Sequence, residues 1–103
     1  MRYTLIMRVE ETHEFRRWID RLTDKEGRAR ILVRVDRLVH GNPGSYRNLT
    51  DGISELRIDF GPGYRVYYAL HGDTLLLLLA GGDKSSQQKD IAVALSLKRS
   101  LLG

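Results

Sequence analysis

Three cations, Arg57, Arg65 and Lys84, fall at spacings that could hold a phosphodiester. Arg57 lies in the alternating run Glu55-Leu56-Arg57-Ile58-Asp59-Phe60, and Arg65 in Tyr64-Arg65-Val66-Tyr67-Tyr68-Ala69-Leu70-His71. The turn cluster Gly61-Pro62-Gly63 separates them. If Phe60 and Tyr64 flank a three-residue turn, Asp59 falls opposite Arg65, Arg57 opposite Tyr67 and Glu55 opposite Ala69, and directly opposed residues share a face. Counting across the next turn, Gly72-Asp73, sets Ala80 opposite Arg65 and Leu78 opposite Tyr67. It also brings Gly81-Gly82-Asp83-Lys84 close to Arg65. This face, away from Leu56, Ile58, Val66 and Tyr68, is expected to be wet. Guanidinium forks match phosphate oxygens and an aromatic ring can stack on a base, so Arg57, Arg65 and Lys84 with Tyr67 form a candidate RNA-contacting cluster. The competing reading is structural: Arg65 paired with Asp59, and Arg57 with Glu55 or Asp59, as cross-strand ion pairs.

The charge balance agrees with a polyanionic or acidic partner. The 103 residues carry a net charge of +4, and 13 of the 17 cations are Arg against 4 Lys, the side chain suited to planar, bidentate contacts. Seven of these, Arg16, Arg17, Arg21, Arg28, Arg30, Arg34 and Arg37, sit in segments that read as helix, where solvated faces are as reasonable as contacts to a polyanion and an acidic protein partner is a third reading. Zero cysteines exclude disulfides, thiolate catalysis and cysteine-ligated zinc. His13, His40 and His71 are scattered with no HExxH spacing, so no metal or other cofactor is expected. Gly61-Pro62-Gly63 lacks the sequel of a phosphate-binding loop and reads as a turn. The longest apolar run, Leu75 to Ala80, is far short of the ~20 residues that span a bilayer, and Arg8 interrupts the N-terminal run before it reaches signal-peptide length. A cytoplasmic protein is expected.

The elements that must carry these residues can be read from periodicity. One domain, residues 1–103, is all this length allows. Residues 2–9 alternate as a half-buried strand. Phe15, Trp18, Ile19 and Leu22 form the stripe of a helix starting near Thr12. Thr23-Asp24-Lys25-Glu26 has capping-box spacing for a second helix, whose stripe is Ile31, Leu32, Val35, Leu38 and Val39 and which stops at Gly41-Asn42-Pro43. The two helices should form a hairpin. Residues 42–52, including Arg47, read as a surface loop. Three strands follow, the last being Leu75 to Leu79. Ser85-Ser86-Gln87-Gln88 then has capping-box spacing for a terminal helix bearing Ile91, Ala94, Leu95 and Leu102. The class is α+β: an N-terminal strand, a helical hairpin, an antiparallel sheet of about four strands and a C-terminal helix.

The stretch from Ser54 to Tyr68, with Leu77-Leu78-Leu79-Ala80-Gly81-Gly82-Asp83-Lys84-Ser85-Ser86-Gln87 and Asp90-Ile91, resembles the RelE/ParE toxin superfamily, and most closely the HigB-like addiction-module killer proteins. The resemblance covers the whole chain in element order and is specific from Ser54 to Ala94. It implies a type II toxin that cleaves mRNA in the ribosomal A site without a metal and is neutralised by a cognate antitoxin, often a helix-turn-helix protein. It also implies a catalytic arginine in the Gly-Tyr-Arg unit, here Arg65, an RNA-contacting basic residue on the preceding strand, here Arg57, and a further one after the last strand, here Lys84. Gln87, Lys89 and Asp90 occupy the region where some members carry Tyr or His. On this basis the catalytic set is Arg65, Arg57 and Lys84, the RNA-binding set is Arg47, Arg57, Tyr67, Lys84, Gln87 and Lys89, and Asp90 is the candidate acid or base. The other activity known on this fold, inhibition of DNA gyrase by binding alone, is the alternative. An inactive partner-binding module is the third reading if Arg57, Arg65 and Lys84 are fully paired and closed to solvent.

Overall fold

A computed structural model describes residues 7–103, so the part of the expected first strand over residues 2–6 lies outside the described residues. The elements run β1 (Arg8–Glu11), α1 (His13–Arg21), α2 (Lys25–Val39), β2 (Tyr46–Asn48), β3 (Ile53–Ile58), β4 (Tyr64–His71), β5 (Leu75–Asp83), a single 3-10 turn (Lys84–Ser86) and α3 (Gln87–Leu102). The strands form one five-stranded sheet in the order β1-β5-β4-β3-β2. β1 runs parallel to β5 and the other neighbours are antiparallel. The sheet is therefore mixed and one strand larger than the sequence suggests. The extra strand, β2, is three exposed residues with no alternation to read, which is why it resembled loop.

The helix starts follow from side-chain caps. The Thr12 hydroxyl accepts from the Phe15 amide at 3.0 Å and donates to the Leu79 carbonyl at 2.6 Å, so the residue that caps α1 also fastens it to β5. Asp24, one residue beyond the expected Thr23, caps α2: its Oδ1 accepts from the Gly27 amide at 2.9 Å. Its Oδ2 accepts from the Tyr64 hydroxyl at 2.7 Å, a tie to β4 that Thr23 could not supply. α3 begins at Gln87 without a side-chain cap. Ser85 is drawn back to Asp83, and the Ser86 hydroxyl donates to Asp90 Oδ2 at 2.6 Å.

Both faces of the sheet are covered. Phe15, Ile19, Ile31, Val35 and Leu38 from α1 and α2 pack on Leu56, Ile58, Val66, Tyr68, Leu76 and Leu78. On the other face Ala94, flanked by Ile91 and Leu95, packs on Ile53, Tyr67, Ala69, Leu77, Leu79 and Ala80. Burying each such large side chain contributes ~1.5–3 kcal/mol, and α3 secures this for the second face. That corrects the expected wet face: Arg65 and Tyr67 lie under α3, 4% and 0% exposed. Two adjacent glycines let both layers approach β5. A Cβ on Gly81 would strike the Trp18 ring from α1, and one on Gly82 would strike Ser86 Oγ and Asp90 from the opposite side.

The hairpin register differs from the expected one by two residues. Ile58 pairs with Tyr64, Arg57 with Arg65, Glu55 with Tyr67 and Ile53 with Ala69. The connection is longer than a three-residue turn because Phe60 and Gly63 close it internally, the Phe60 amide donating to Ile58 O at 2.9 Å and the Gly63 amide to Phe60 O at 3.0 Å. Gly61 and Gly63 take the positive φ values of +55° and +82° that this needs. Because the shift is even, every side chain keeps its face. Across the next hairpin Arg65 pairs with Gly82 and Tyr67 with Ala80. A bulge after Tyr67 then sets Tyr68 against Leu78, and His71 pairs with Leu75 across a three-residue turn.

Candidate functional site

The register builds the site. Arg47 on β2 lies opposite Glu55 on β3, which lies opposite Tyr67 on β4. Arg57 lies opposite Arg65 one step along the same face. Three guanidinium groups therefore converge on one carboxylate. Glu55 Oε1 is 3.8 Å from an Arg47 terminal nitrogen, 4.0 Å from Arg57 Nε and 3.8 Å from Arg65 Nε. Its other oxygen, Oε2, accepts from Gln87 Nε2 at 2.7 Å, a contact reaching in from the start of α3. The three cations differ in access: the Arg47 and Arg57 side chains are 56% and 44% open to solvent, and that of Arg65 is 4% open.

The interior of this cluster is held by charge more than by hydrogen bonds. Glu55 Oε1, Arg65 Nε and the Tyr67 hydroxyl are buried without a hydrogen-bond partner among the described residues. Arg65 is anchored by one terminal nitrogen donating to its neighbour's carbonyl, Tyr64 O, at 3.1 Å. Burial first, and then the Glu55 charge, push the Tyr67 phenol well above its ordinary value. Tyr67 is thus a neutral, enclosed side chain. Its ring is not presented for stacking on a base.

Lys84 enters through the turn after β5. Its amide donates to Gly63 O at 3.0 Å, and its stem lies over Gly63, where a Cβ would be 2.6 Å from Lys84 Cδ and 3.7 Å from the Arg65 terminal nitrogen. Glycine at 63 is what lets the lysine stem and Arg65 meet there. Lys84 is exposed and has no carboxylate within ion-pair distance among the described residues. It lines a shallow concavity with Ser85, Ser86, Gln87, Gln88 and Lys89. Asp83 beside it is held below the usual carboxylate range, chiefly by hydrogen bonds from the Ser85 hydroxyl and amide. Asp90 sits half-buried against Gly82 with its Oδ2 engaged by Ser86.

Of the residues picked out by sequence, Arg47, Arg57, Arg65, Tyr67 and Gln87 meet around Glu55, and Lys84 abuts Arg65. Lys89 and Asp90 lie along the first turn of α3 beside them. The ion-pair reading is realised at Arg57 and Glu55, and not between Arg65 and Asp59. Asp59 makes no ion pair among the described residues. The centre of the cluster, Glu55, was visible in sequence only as a carboxylate of the same strand parity as the arginines. Arg34 was missed altogether as a support: from α2 it donates to the carbonyls of Arg57, Pro43 and Ser45 at 2.8, 2.9 and 2.8 Å, clamping the backbones that lead into β2 and out of β3. A helix arginine looks the same in sequence whether it faces water or a carbonyl cage.

Among the described residues no helix is long and apolar enough to cross a membrane and no cluster of three side chains could hold a metal ion. Residues 17–98 match the family described as Phage derived protein Gp49-like (DUF891). An uncharacterized protein of Haemophilus influenzae is 42% identical over 97 residues, covering 94% of this chain and 98% of the relative.

Proposed function

The chain belongs to the phage-derived Gp49-like family, a family of RelE-like toxins, and from that premise we propose that it is a HigB-like, ribosome-dependent mRNA endonuclease. It acts without a metal in the cytoplasm, where its substrate is mRNA on the ribosome. A cognate antitoxin, of helix-turn-helix type and acidic where it docks, holds it inactive. The observation that supports this is the pair of solvent-open guanidinium groups, Arg47 on the edge strand β2 and Arg57 on its neighbour β3, converging on the buried Glu55 carboxylate.

Cleavage by the RNA's own 2′-hydroxyl forms the O2′–P bond, breaks the P–O5′ bond and moves a proton to the departing 5′-oxygen. Charge accumulates on the phosphorane oxygens on the way. In this reading Arg57 and Arg47 take the non-bridging oxygens, Arg65 reinforces them from behind, and Lys84, Gln87 and Lys89 track the strand. Asp90 is the candidate proton acceptor once Ser86 releases it. Arg57 is partly open and Lys84 has no ion-pair partner among the described residues, which favours this reading over an inactive module.

Induced expression without antitoxin should stop translation, and primer extension on cellular mRNAs should map new 5′ ends at ribosome-covered codons. Intact mRNA together with lost DNA supercoiling control would replace this reading with gyrase inhibition. Continued growth with both processes unaffected would leave only a binding module.

A further inference from the structure

We infer that Glu55 is a positioning residue: a buried carboxylate that aims Arg47 and Arg57 at a phosphate without taking up the donors the phosphate needs. The inference rests on the cluster being a phosphate site, as proposed above. Three distances carry it. Charge-assisted hydrogen bonds from guanidinium to carboxylate close to ~2.7–2.9 Å, whereas Glu55 Oε1 stands 3.8, 4.0 and 3.8 Å from its three arginines and makes no hydrogen bond among the described residues. Attraction at that range falls slowly with distance and orients a side chain, while the N–H groups stay free for an incoming anion. The carboxylate cannot follow the arginines outward, because Gln87 Nε2 holds Oε2 at 2.7 Å and the side chain is 1% exposed. Without a negative charge at this point, Arg47, Arg57 and Arg65 would repel one another across neighbouring strands.

A carboxylate near an RNA-binding surface would ordinarily weaken polyanion binding. A positioning role predicts an opposite pair of effects, which separates it from a plain structural one. Compare wild type, Glu55→Gln, Glu55→Asp and Arg47→Gln at a temperature where all are folded by circular dichroism. The readouts are affinity for a short single-stranded RNA, inhibition of a cell-free translation system, and the NMR signals of the Arg57 and Arg65 Nε–H groups. Glu55→Gln should bind the RNA at least as tightly as wild type yet inhibit translation ~10²-fold less, the loss typical of a small misplacement. Its Arg57 Nε–H signal should move to the position of an exposed arginine. Glu55→Asp, with its charge set back by one methylene, should fold and show the same split more weakly. Arg47→Gln should lose binding and inhibition together. Parallel loss of binding and inhibition in Glu55→Gln would overturn the inference, as would unchanged Arg57 signals. If Glu55→Gln does not fold at any temperature, a Glu55→Asp protein with full wild-type inhibition overturns it. A wild type that never inhibits translation defeats the endonuclease reading, while the arginine signals still decide whether Glu55 positions the cluster.

Discussion

Arg57 and Arg65 stand directly opposite each other across β3 and β4, and only one of them meets solvent. Like charges at opposed positions destabilise a sheet unless something compensates. Glu55, buried between them, does so. The two arginines are thereby given different tasks: Arg65 completes a buried charge arrangement under α3, and Arg57 presents the surface of that arrangement.

Arg65→Ala and Arg57→Ala should therefore fail differently. Removing one partner of a buried ion pair costs ~3–5 kcal/mol, and the lower end fits Arg65 because Glu55 keeps two other cations nearby. A domain of this size loses ~4–8 °C of melting temperature per kcal/mol, so Arg65→Ala should melt at least ~10 °C below wild type. Arg57→Ala removes a half-exposed pair worth ~0–1 kcal/mol. It should keep its melting temperature and lose ~10²–10³ in mRNA cleavage if the guanidinium stabilises transition-state charge. A stable Arg65→Ala protein alongside an unfolded Arg57→Ala would reverse the assignment.

The sequence carried the parity of these side chains and lost their depth. Alternation in β3 and β4 places Glu55, Arg57, Arg65 and Tyr67 on one face whatever the turn length, as long as the shift is even, and so the cluster survived a register displaced by two. Whether that face is wet depends on what α3 does, and its stripe of Ile91, Ala94 and Leu95 names no partner. Arg65 and Tyr67 are polar enough to read as surface, yet both are enclosed. The caps of α1 and α2 were legible to within a residue, whereas the expected Ser85 cap of α3 is not made, because Asp83 takes the Ser85 hydroxyl and amide. Asp24 displaced Thr23 because it alone also reaches Tyr64, forty residues away, and no local spacing encodes such a contact.

That contact predicts how stability changes with pH. Burial, and then the hydrogen bond to Asp24, push the Tyr64 phenol up to about 12. A phenol ionises near ~10 in the unfolded chain, so its contribution is complete below that pH and disappears as pH rises from ~10 through its folded value. The Gly27 amide first, and the Tyr64 hydroxyl second, hold the Asp24 carboxyl below the usual range. Its contribution is present above ~3.9 and disappears as pH falls through the lowered value. Urea midpoints measured across pH should show Tyr64→Phe reducing the alkaline loss and Asp24→Asn reducing the acid loss. Unchanged limbs would show that the Asp24–Tyr64 bond does not form in solution.

Gly27 sharpens the same point. Gly27 lies in the first turn of α2, and replacing a glycine within a helix by alanine ordinarily stabilises by up to ~0.5–1 kcal/mol. Here a Cβ would stand 2.5 Å from Asp24 Oδ2 and 2.6 Å from Tyr64 Cε2. The overlap would part the cap from β4, and overpacking of this kind costs ~1–3 kcal/mol. Gly27→Ala should lower the melting temperature. A rise would mean that α2 propensity outweighs the lock.

The two tyrosines at 67 and 68 face opposite cores and should respond in opposite ways. Tyr68 is 2% exposed in the core beneath α1 and α2, and Tyr68→Ala should cost ~3–5 kcal/mol, as for any large buried aromatic. Tyr67 fills the core beneath α3, but its hydroxyl is buried with no hydrogen-bond partner among the described residues. A buried hydroxyl left without such a bond carries a penalty of ~1–3 kcal/mol. Tyr67→Phe deletes the hydroxyl and keeps the ring, so melting temperature should hold or rise. mRNA cleavage should persist, because the ring is enclosed and cannot be the platform on which a base stacks. A variant that melts several degrees lower would reveal a bond from the hydroxyl to Glu55. A stable variant that no longer cleaves would return Tyr67 to the RNA-contacting set.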